Sequence, residues 1–430
     1  MSITNSKSSL NTSSLVGEHT VSSSGVEDGS AAAKTSVTDV TLRSESSNTG
    51  KQADIASASV AEPIPVGMVG HYDGHVEIAR NGFVSKSLSC FALNTVMGCS
   101  HACRFCYVGE MWGRFMTRGL RKYGIVDPDA QWGQYALLRR WVEKKFMSSL
   151  RKAENTPAAD LNADGNRAIM FSSTTDPYQV FRAATPAMSK QLTDESLALN
   201  ENCLERILKE STLNVRVLTR APLAKVQFPL FKRFGHRLLF GMSLPTLNDK
   251  LARIYEPNAP SPTQRLKTLR EAKEAGLNVY VAIAPTYPEC DEADLHATLK
   301  AVAELKPYTV YHEPINIRGE NVTRIAAHAA SLGLELNTGV FATPVAYRQY
   351  AIEQLKLVER IAGEVGLAHC LHLWPDASLK SKNGFMAMRA AARLVGAVEG
   401  EDAEAYAEHL AWVERCHARI SEWPKAGNKQ

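Results

Sequence analysis

Ala92-Leu93-Asn94-Thr95-Val96 runs through Met97 directly into Gly98-Cys99-Ser100-His101-Ala102-Cys103-Arg104-Phe105-Cys106-Tyr107. The first five residues read as a short strand. The loop behind them carries three cysteines at spacings of four and three, close enough to wrap three thiolates around one compact metal centre. In a cubane iron-sulfur cluster, with four irons, three thiolates leave one iron without a protein ligand and open to a small chelating molecule. The competing reading is a zinc site with His101 or a distant cysteine as fourth ligand. Zinc loops usually pair Cys-x-x-Cys knuckles, and no second pair occurs here. The other cysteines, Cys90, Cys203, Cys290, Cys370 and Cys416, are scattered singly and read as small packed residues. Cys90 precedes the loop and Cys290 follows the fifth predicted strand.

Downstream, β-rich runs alternate with helical patterns. Strands are predicted at 92–96, 168–172, 214–219, 237–242, 278–283 and 308–312. Six strand-then-helix repeats predict an α/β fold, a partial (β/α)6 TIM-type barrel. The helix after the fourth strand is the best defined. Ser261 caps it, Pro262 fits the first turn, Gln264 completes a capping box and Gly276 ends it. The next begins near Asp291 and stops before Pro307. From residue 342 the pattern turns wholly helical, at 344–365, 384–395 and 401–422, with a short interruption at 372–375. The predicted organisation is a disordered tail over 1–65, a lead-in over 66–87, a barrel core over 88–341 and a C-terminal helical extension over 342–430.

The tail is dominated by Ser, Thr, Ala and Gly, and no Phe, Tyr or Trp precedes Tyr72, so it has nothing to anchor a core. The whole chain of 430 residues is 44% hydrophobic, which rules out wholesale disorder. A net charge of +4 with 22% charged residues argues against a globally polybasic nucleic-acid binder, leaving any basic surface local. No apolar run approaches a membrane span and no secretory signal opens the chain, so the expectation is a cytoplasmic protein without membrane contact. The acids Glu18, Glu27, Asp28 and Asp39 argue against a transit peptide.

The Cys-x-x-x-Cys-x-x-Cys-aromatic loop after the first barrel strand resembles the radical S-adenosylmethionine superfamily over roughly residues 88 to 320. The resemblance implies a [4Fe-4S] cluster held by Cys99, Cys103 and Cys106, with S-adenosylmethionine chelated to the open iron. It further implies one-electron cleavage to a 5′-deoxyadenosyl radical that abstracts hydrogen from substrate. The strand-end strings Ser172-Ser173-Thr174-Thr175-Asp176-Pro177-Tyr178, Thr219-Arg220, Ser243-Leu244-Pro245 and Ala284-Pro285, with the segment from Glu256-Pro257 to Arg265, look like the branch containing spore photoproduct lyase and DNA-repair photolyase-like proteins. In that branch the residues matching Arg220, Ser243 and Ala284 surround S-adenosylmethionine. The implied cofactor site adds Tyr107, Ser173, Thr175 and Asp176. Two departures stand out. The branch's hydrogen-returning cysteine is matched by Ser173, whose O–H bond is far too strong for that role, and its third-strand lysine is matched by Arg220. The resemblance therefore implies a lyase or another radical transformation, with DNA repair in its strict form unsupported at Ser173.

At the sixth strand end, Glu313, Asn316 and Arg318 are the expected substrate contacts. The insert over 107–167 interleaves cations such as Arg114, Arg118, Arg121 and Lys122 with Trp112, Phe115, Tyr123, Trp132, Trp141 and Phe146. Such a segment suits phosphates and bases; the favoured reading is an amphipathic helix over 134–152 burying Leu137, Leu138, Trp141 and Phe146. His369, His372, Trp374 and Asp376 read as core residues connecting helices. The substrate expected is a nucleic-acid lesion, with a small molecule or peptide as the alternative. A second alternative is a non-catalytic, zinc-stabilised nucleic-acid-binding module. A flavodoxin- or ferredoxin-type electron donor is the implied partner, because no reductant domain is visible.

Overall fold

In a computed structural model, the structure describes residues 68–81, 89–161, 167–394, 396–397 and 400–427, with side chains described as far as residue 417. The tail expected over 1–65 lies outside the described residues. Among the described residues eleven strands follow in chain order: β1 (Val69–His75), β2 (Ile78–Arg80), β3 (Phe91–Leu93), β4 (Val96–Gly98), β5 (Ala136–Arg140), β6 (Ala168–Phe171), β7 (Asn214–Thr219), β8 (Leu238–Ser243), β9 (Asn278–Thr286), β10 (Thr309–Pro314) and β11 (Leu371–Leu373). The α-helices are α1 (Val108–Leu120), α2 (Glu143–Glu154), α3 (Pro186–Glu210), α4 (Phe228–Arg233), α5 (Asp249–Tyr255), α6 (Pro262–Glu274), α7 (Glu292–Glu304), α8 (Asn321–Ser331), α9 (Pro344–Glu364), α10 (Lys382–Leu394) and α11 (Asp402–Gly427).

The main sheet has the order β11-β10-β9-β8-β7-β6-β3-β2. All its neighbours from β3 to β11 pair in parallel, and β2 closes one edge antiparallel to β3. β6 and β8 are buried at every position, as expected of parallel strands covered on both faces. The result is an open α/β barrel. A second sheet, β1-β5-β4, stands apart from it. The helix signals hold. Ser261 and Gln264 form the capping box of α6, Gly276 follows at φ +82°, and Asp291 caps α7 through the Asp294 N–H.

Three expectations need correction. The strand expected over 92–96 is two strands in two sheets. The chain breaks at Asn94 and Thr95, where the Asn94 carboxamide accepts the Ser173 and Thr174 N–H groups, both at 2.9 Å. The helix expected over 134–152 begins only at Glu143. Ala136, Leu137 and Leu138 are buried in β5, which lies between β1 and β4; a short apolar run satisfies a helix face and a central strand equally well. The region beyond 342 is not wholly helical, because Leu371–Leu373 adds a seventh parallel strand beside β10. The lead-in contributes β1 and β2.

Candidate active site

Strand ends and their loops meet at one cavity of about 460 Å³. Cys99, Cys103, Cys106, Tyr107, Ser173, Thr175, Asp176, Arg220, Ser243, Ala284, Glu313, Asn316 and Arg318 all line it, so the structure brings residues spread over 220 positions of sequence to one cavity.

The cysteine loop is held by its backbone. Gly98 sits at φ +86°, and a Cβ there would stand 2.2 Å from the Tyr135 carbonyl oxygen, so only glycine fits. The Ser100 N–H donates to Gln179 Oε1 at 2.6 Å and the Arg104 N–H to the Tyr255 carbonyl at 2.8 Å. From α8, Asn321 Nδ2 donates to the Phe105 carbonyl at 3.2 Å and Arg324 Nη2 to the Cys106 carbonyl at 2.6 Å. Arg324 is itself paired with Asp129. Neither α8 residue was singled out in the sequence; they reach the loop from more than 200 positions away.

Burial pushes the Cys99 thiol up to about 12, with the Asp176 charge adding to the effect, and burial likewise raises Cys103 and Cys106. Without a cation the three are therefore thiols, and a metal centre that binds them must displace protons. No three His, Cys, Asp or Glu side chains among the described residues converge as ligands of a single ion. His101, the fourth ligand of the zinc reading, has Nδ1 3.4 Å from an Asp176 oxygen. Burial holds its imidazole below the ordinary histidine value. Three cysteines of one loop that line one cavity fit an iron-sulfur cluster.

The second strand end divides its hydroxyls by parity. Thr175 Oγ1 donates to the Gly98 carbonyl at 2.5 Å and accepts from Gln179 Nε2 at 2.8 Å, and Ser173 Oγ accepts from Asn94 Nδ2 at 3.2 Å. Ser172 and Thr174, which the sequence reading passed over, line the cavity with buried hydroxyls that have no hydrogen-bond partner. They belong to the same run of hydroxyl residues just past the end of β6, and that run is the signal that could have found them. Asp176 accepts from Thr219 Oγ1 at 2.6 Å, the Arg220 N–H at 2.7 Å and the Tyr178 N–H at 2.9 Å. It ties the ends of β6 and β7 together.

Arg220 Nε donates to Glu256 Oε1 at 3.0 Å, and the other Glu256 oxygen accepts from Arg265. Burial would raise the Glu256 carboxyl, but the charges of Arg265 and Arg220 outweigh it and hold the group at about 2. Burial would likewise lower Arg220, and the Glu256 charge overrides it. Arg265 Nη1 also donates to the Ser243 carbonyl at 3.1 Å, so one buried carboxylate aligns two strand ends.

On the far wall, Tyr347 Oη donates to Asn316 Oδ1 at 2.6 Å, and Arg318 Nη2 donates to Asp376 Oδ2 at 2.9 Å. Trp374, Pro375, Asp376 and Ala377 complete that wall. Trp374 is buried with Met170, Leu239, Tyr280 and Tyr311, as its core reading expects, and β11 also brings it and Asp376 to the cavity. In the insert, Trp132 and Phe146 are buried, Trp141 packs on Phe146 at 4.8 Å and Tyr123 on Tyr72 at 5.6 Å.

A family model described as the Radical SAM superfamily matches residues 93–302. The chain is 32% identical over 252 residues, 57% of its length and 74% of the relative's, to the uncharacterized protein ORF301 of Acidianus two-tailed virus. It is 23% identical over 272 residues, 63% of its length and 86% of the relative's, to the uncharacterized protein MJ0683 of Methanocaldococcus jannaschii. Among solved structures, spore photoproduct lyase complexed with dinucleoside spore photoproduct aligns with a TM-score of 0.49 and 13% identity, covering 71% of this chain and 81% of that one. The cysteine loop with its matching strand ends falls inside the matched span, and the chain belongs to the radical SAM superfamily, whose members work with an iron-sulfur cluster and S-adenosylmethionine.

Proposed function

We propose that this chain is an enzyme that cleaves S-adenosylmethionine reductively at a [4Fe-4S] cluster and removes hydrogen from a substrate held against Glu313, Asn316 and Arg318. The single observation that carries the reading is that all three loop cysteines open into the same cavity as the strand-end groups. Cys99, Cys103 and Cys106 would hold the cluster, which supplies the electron for breaking the carbon-sulfur bond and a corner for the amino and carboxyl groups of S-adenosylmethionine. Ser172 and Thr174 offer hydrogen bonds to the polar end of that molecule. Arg220, fixed by Glu256, presents a guanidinium to its carboxylate. Tyr107, Ser243 and Ala284 shape the remaining walls, and Asp176 with Thr175 keeps the loop and strand ends in place.

For the substrate we propose a nucleic-acid component. Arg318, half exposed at the rim, suits a phosphate, and Trp374 beside Pro375 gives an apolar wall to a base. The electron comes from an external flavodoxin- or ferredoxin-type donor.

The test is anaerobic reconstitution with iron and sulfide, followed by S-adenosylmethionine and dithionite. A brown protein that releases 5′-deoxyadenosine is expected, and changing Cys99, Cys103 or Cys106 to alanine should abolish both the colour and the product. A colourless zinc protein, or an alanine variant that keeps full activity, overturns the assignment. Deuterium transfer from labelled oligonucleotides into 5′-deoxyadenosine tests the substrate class.

A further inference from the structure

The helix that follows the cysteine loop has two very different faces. On the inner side, Val108 and Leu120 of α1 join the apolar cluster that contains Cys99, Trp132 and Tyr135, with Cys106, Tyr107 and Trp112 packed against it. On the outer side, Arg114, Phe115 and Arg118 are exposed, followed by exposed Arg121 and Lys122. Phe115 is 75% exposed, among the most exposed large apolar side chains described. From Val108 to Tyr123 there are four cations against one carboxylate, Glu110. Glu110 pairs with Arg114, and Asp73 from β1 pairs with Lys122. Arg118 and Arg121 are in no ion pair among the described residues.

We propose that this outer face is the docking surface for a small, acidic one-electron carrier protein, an inference that rests on the cluster reading above. At 1.5 Å per residue along α1, Phe115 lies roughly 14 Å and Arg118 roughly 18 Å beyond Cys106. Electron transfer weakens steeply with distance, so a reductant has to sit on a surface element close to the cysteine loop, and α1 follows that loop directly in the chain. One exposed ring among unpaired cations matches an apolar anchor inside a charged rim, and an acidic partner supplies the complementary potential. A nucleic-acid track would instead need several exposed rings for successive bases. Of the eight aromatic side chains in the insert, all among the described residues, only Phe115 is exposed.

The experiment compares two electron sources on the reconstituted holoenzyme: dithionite, which needs no docking site, and reduced flavodoxin. The double variant Arg118→Glu with Arg121→Glu, and separately Phe115→Ser, should slow flavodoxin-driven cluster reduction roughly tenfold and weaken flavodoxin binding measured by surface plasmon resonance. Dithionite-driven reduction and the thermal transition should stay unchanged. Raising the salt concentration should weaken flavodoxin binding to the wild type and leave the charge-reversed variant little affected. Unchanged flavodoxin-driven reduction in the variants overturns the proposal. So does a loss of oligonucleotide affinity with flavodoxin kinetics intact, which would make the face a nucleic-acid surface. If dithionite reduces no cluster in the wild type, the cluster reading fails and the docking face falls with it.

Discussion

Replacing Glu256 by glutamine tests whether the site is organised around one buried charge. The Glu256 side chain is fully buried, and it lies between Arg265, 1% exposed, and Arg220, 19% exposed. Its carboxyl is held at about 2 against an ordinary value of 4.5. That difference corresponds to on the order of 3 kcal/mol of stability at neutral pH. Removing one partner of a buried ion pair independently predicts about 3–5 kcal/mol. The folded-state value is depressed, so this stability is present above the unfolded carboxyl's own value and disappears as pH falls from about 4.5 toward about 2. Urea denaturation of wild type and Glu256→Gln at pH 7 should therefore differ by about 3 kcal/mol, and the gap should narrow on acidification below pH 4.5. S-adenosylmethionine affinity should fall as well, because Arg220 loses the bond that aims it. Adding Arg265→Met should recover part of the lost stability by removing the orphaned cation. A variant within about 0.5 kcal/mol of wild type at pH 7, on the scale of a neutral surface change, would refute the reasoning.

Ser172→Ala and Thr174→Val should leave the ligand-free chain as stable as wild type or slightly more so, since each removes a buried hydroxyl without a partner. Equilibrium binding should show S-adenosylmethionine affinity falling about 5- to 30-fold; unchanged affinity would place the ligand elsewhere in the cavity. Gly98→Ala forces a Cβ into a left-handed backbone against the Tyr135 carbonyl. It should cost at least about 2 kcal/mol in urea denaturation and lower the iron content after reconstitution. Wild-type stability and iron loading would show that the loop tolerates a side chain there.

Much of the site was legible because its residues are local punctuation. The cysteine spacing, Asp176 before Pro177, Arg220 after β7 and the Ser261 capping box each follow a short-range rule, and each strand end delivers its residue to the same end of a parallel sheet. Glu256 was visible as a segment, but its place between two arginines was not, because that depends on how the α5–α6 connection folds back over β7 and β8. Ser172, Ser173, Thr174 and Thr175 all line the cavity, but that the Ser172 and Thr174 hydroxyls are the ones left without a partner was not visible, because it depends on Asn94 and Gly98 reaching Ser173 and Thr175.

The sequence by itself determined the α/β repeat and the cysteine loop, since these rest on spacing and periodicity within single segments, and the loop carried the resemblance to the radical SAM superfamily. Tertiary structure alone decided that Asn94 breaks the first strand by capping the next strand end, and that Leu137 and Leu138 are strand rather than helix. It also decided that β11 brings Trp374 and Asp376 to the mouth, and that Asn321 and Arg324 hold the cysteine loop from 200 positions away. Each of those outcomes is set by a pairing partner or hydrogen-bond acceptor distant in sequence, and no local pattern carries the identity of a distant partner.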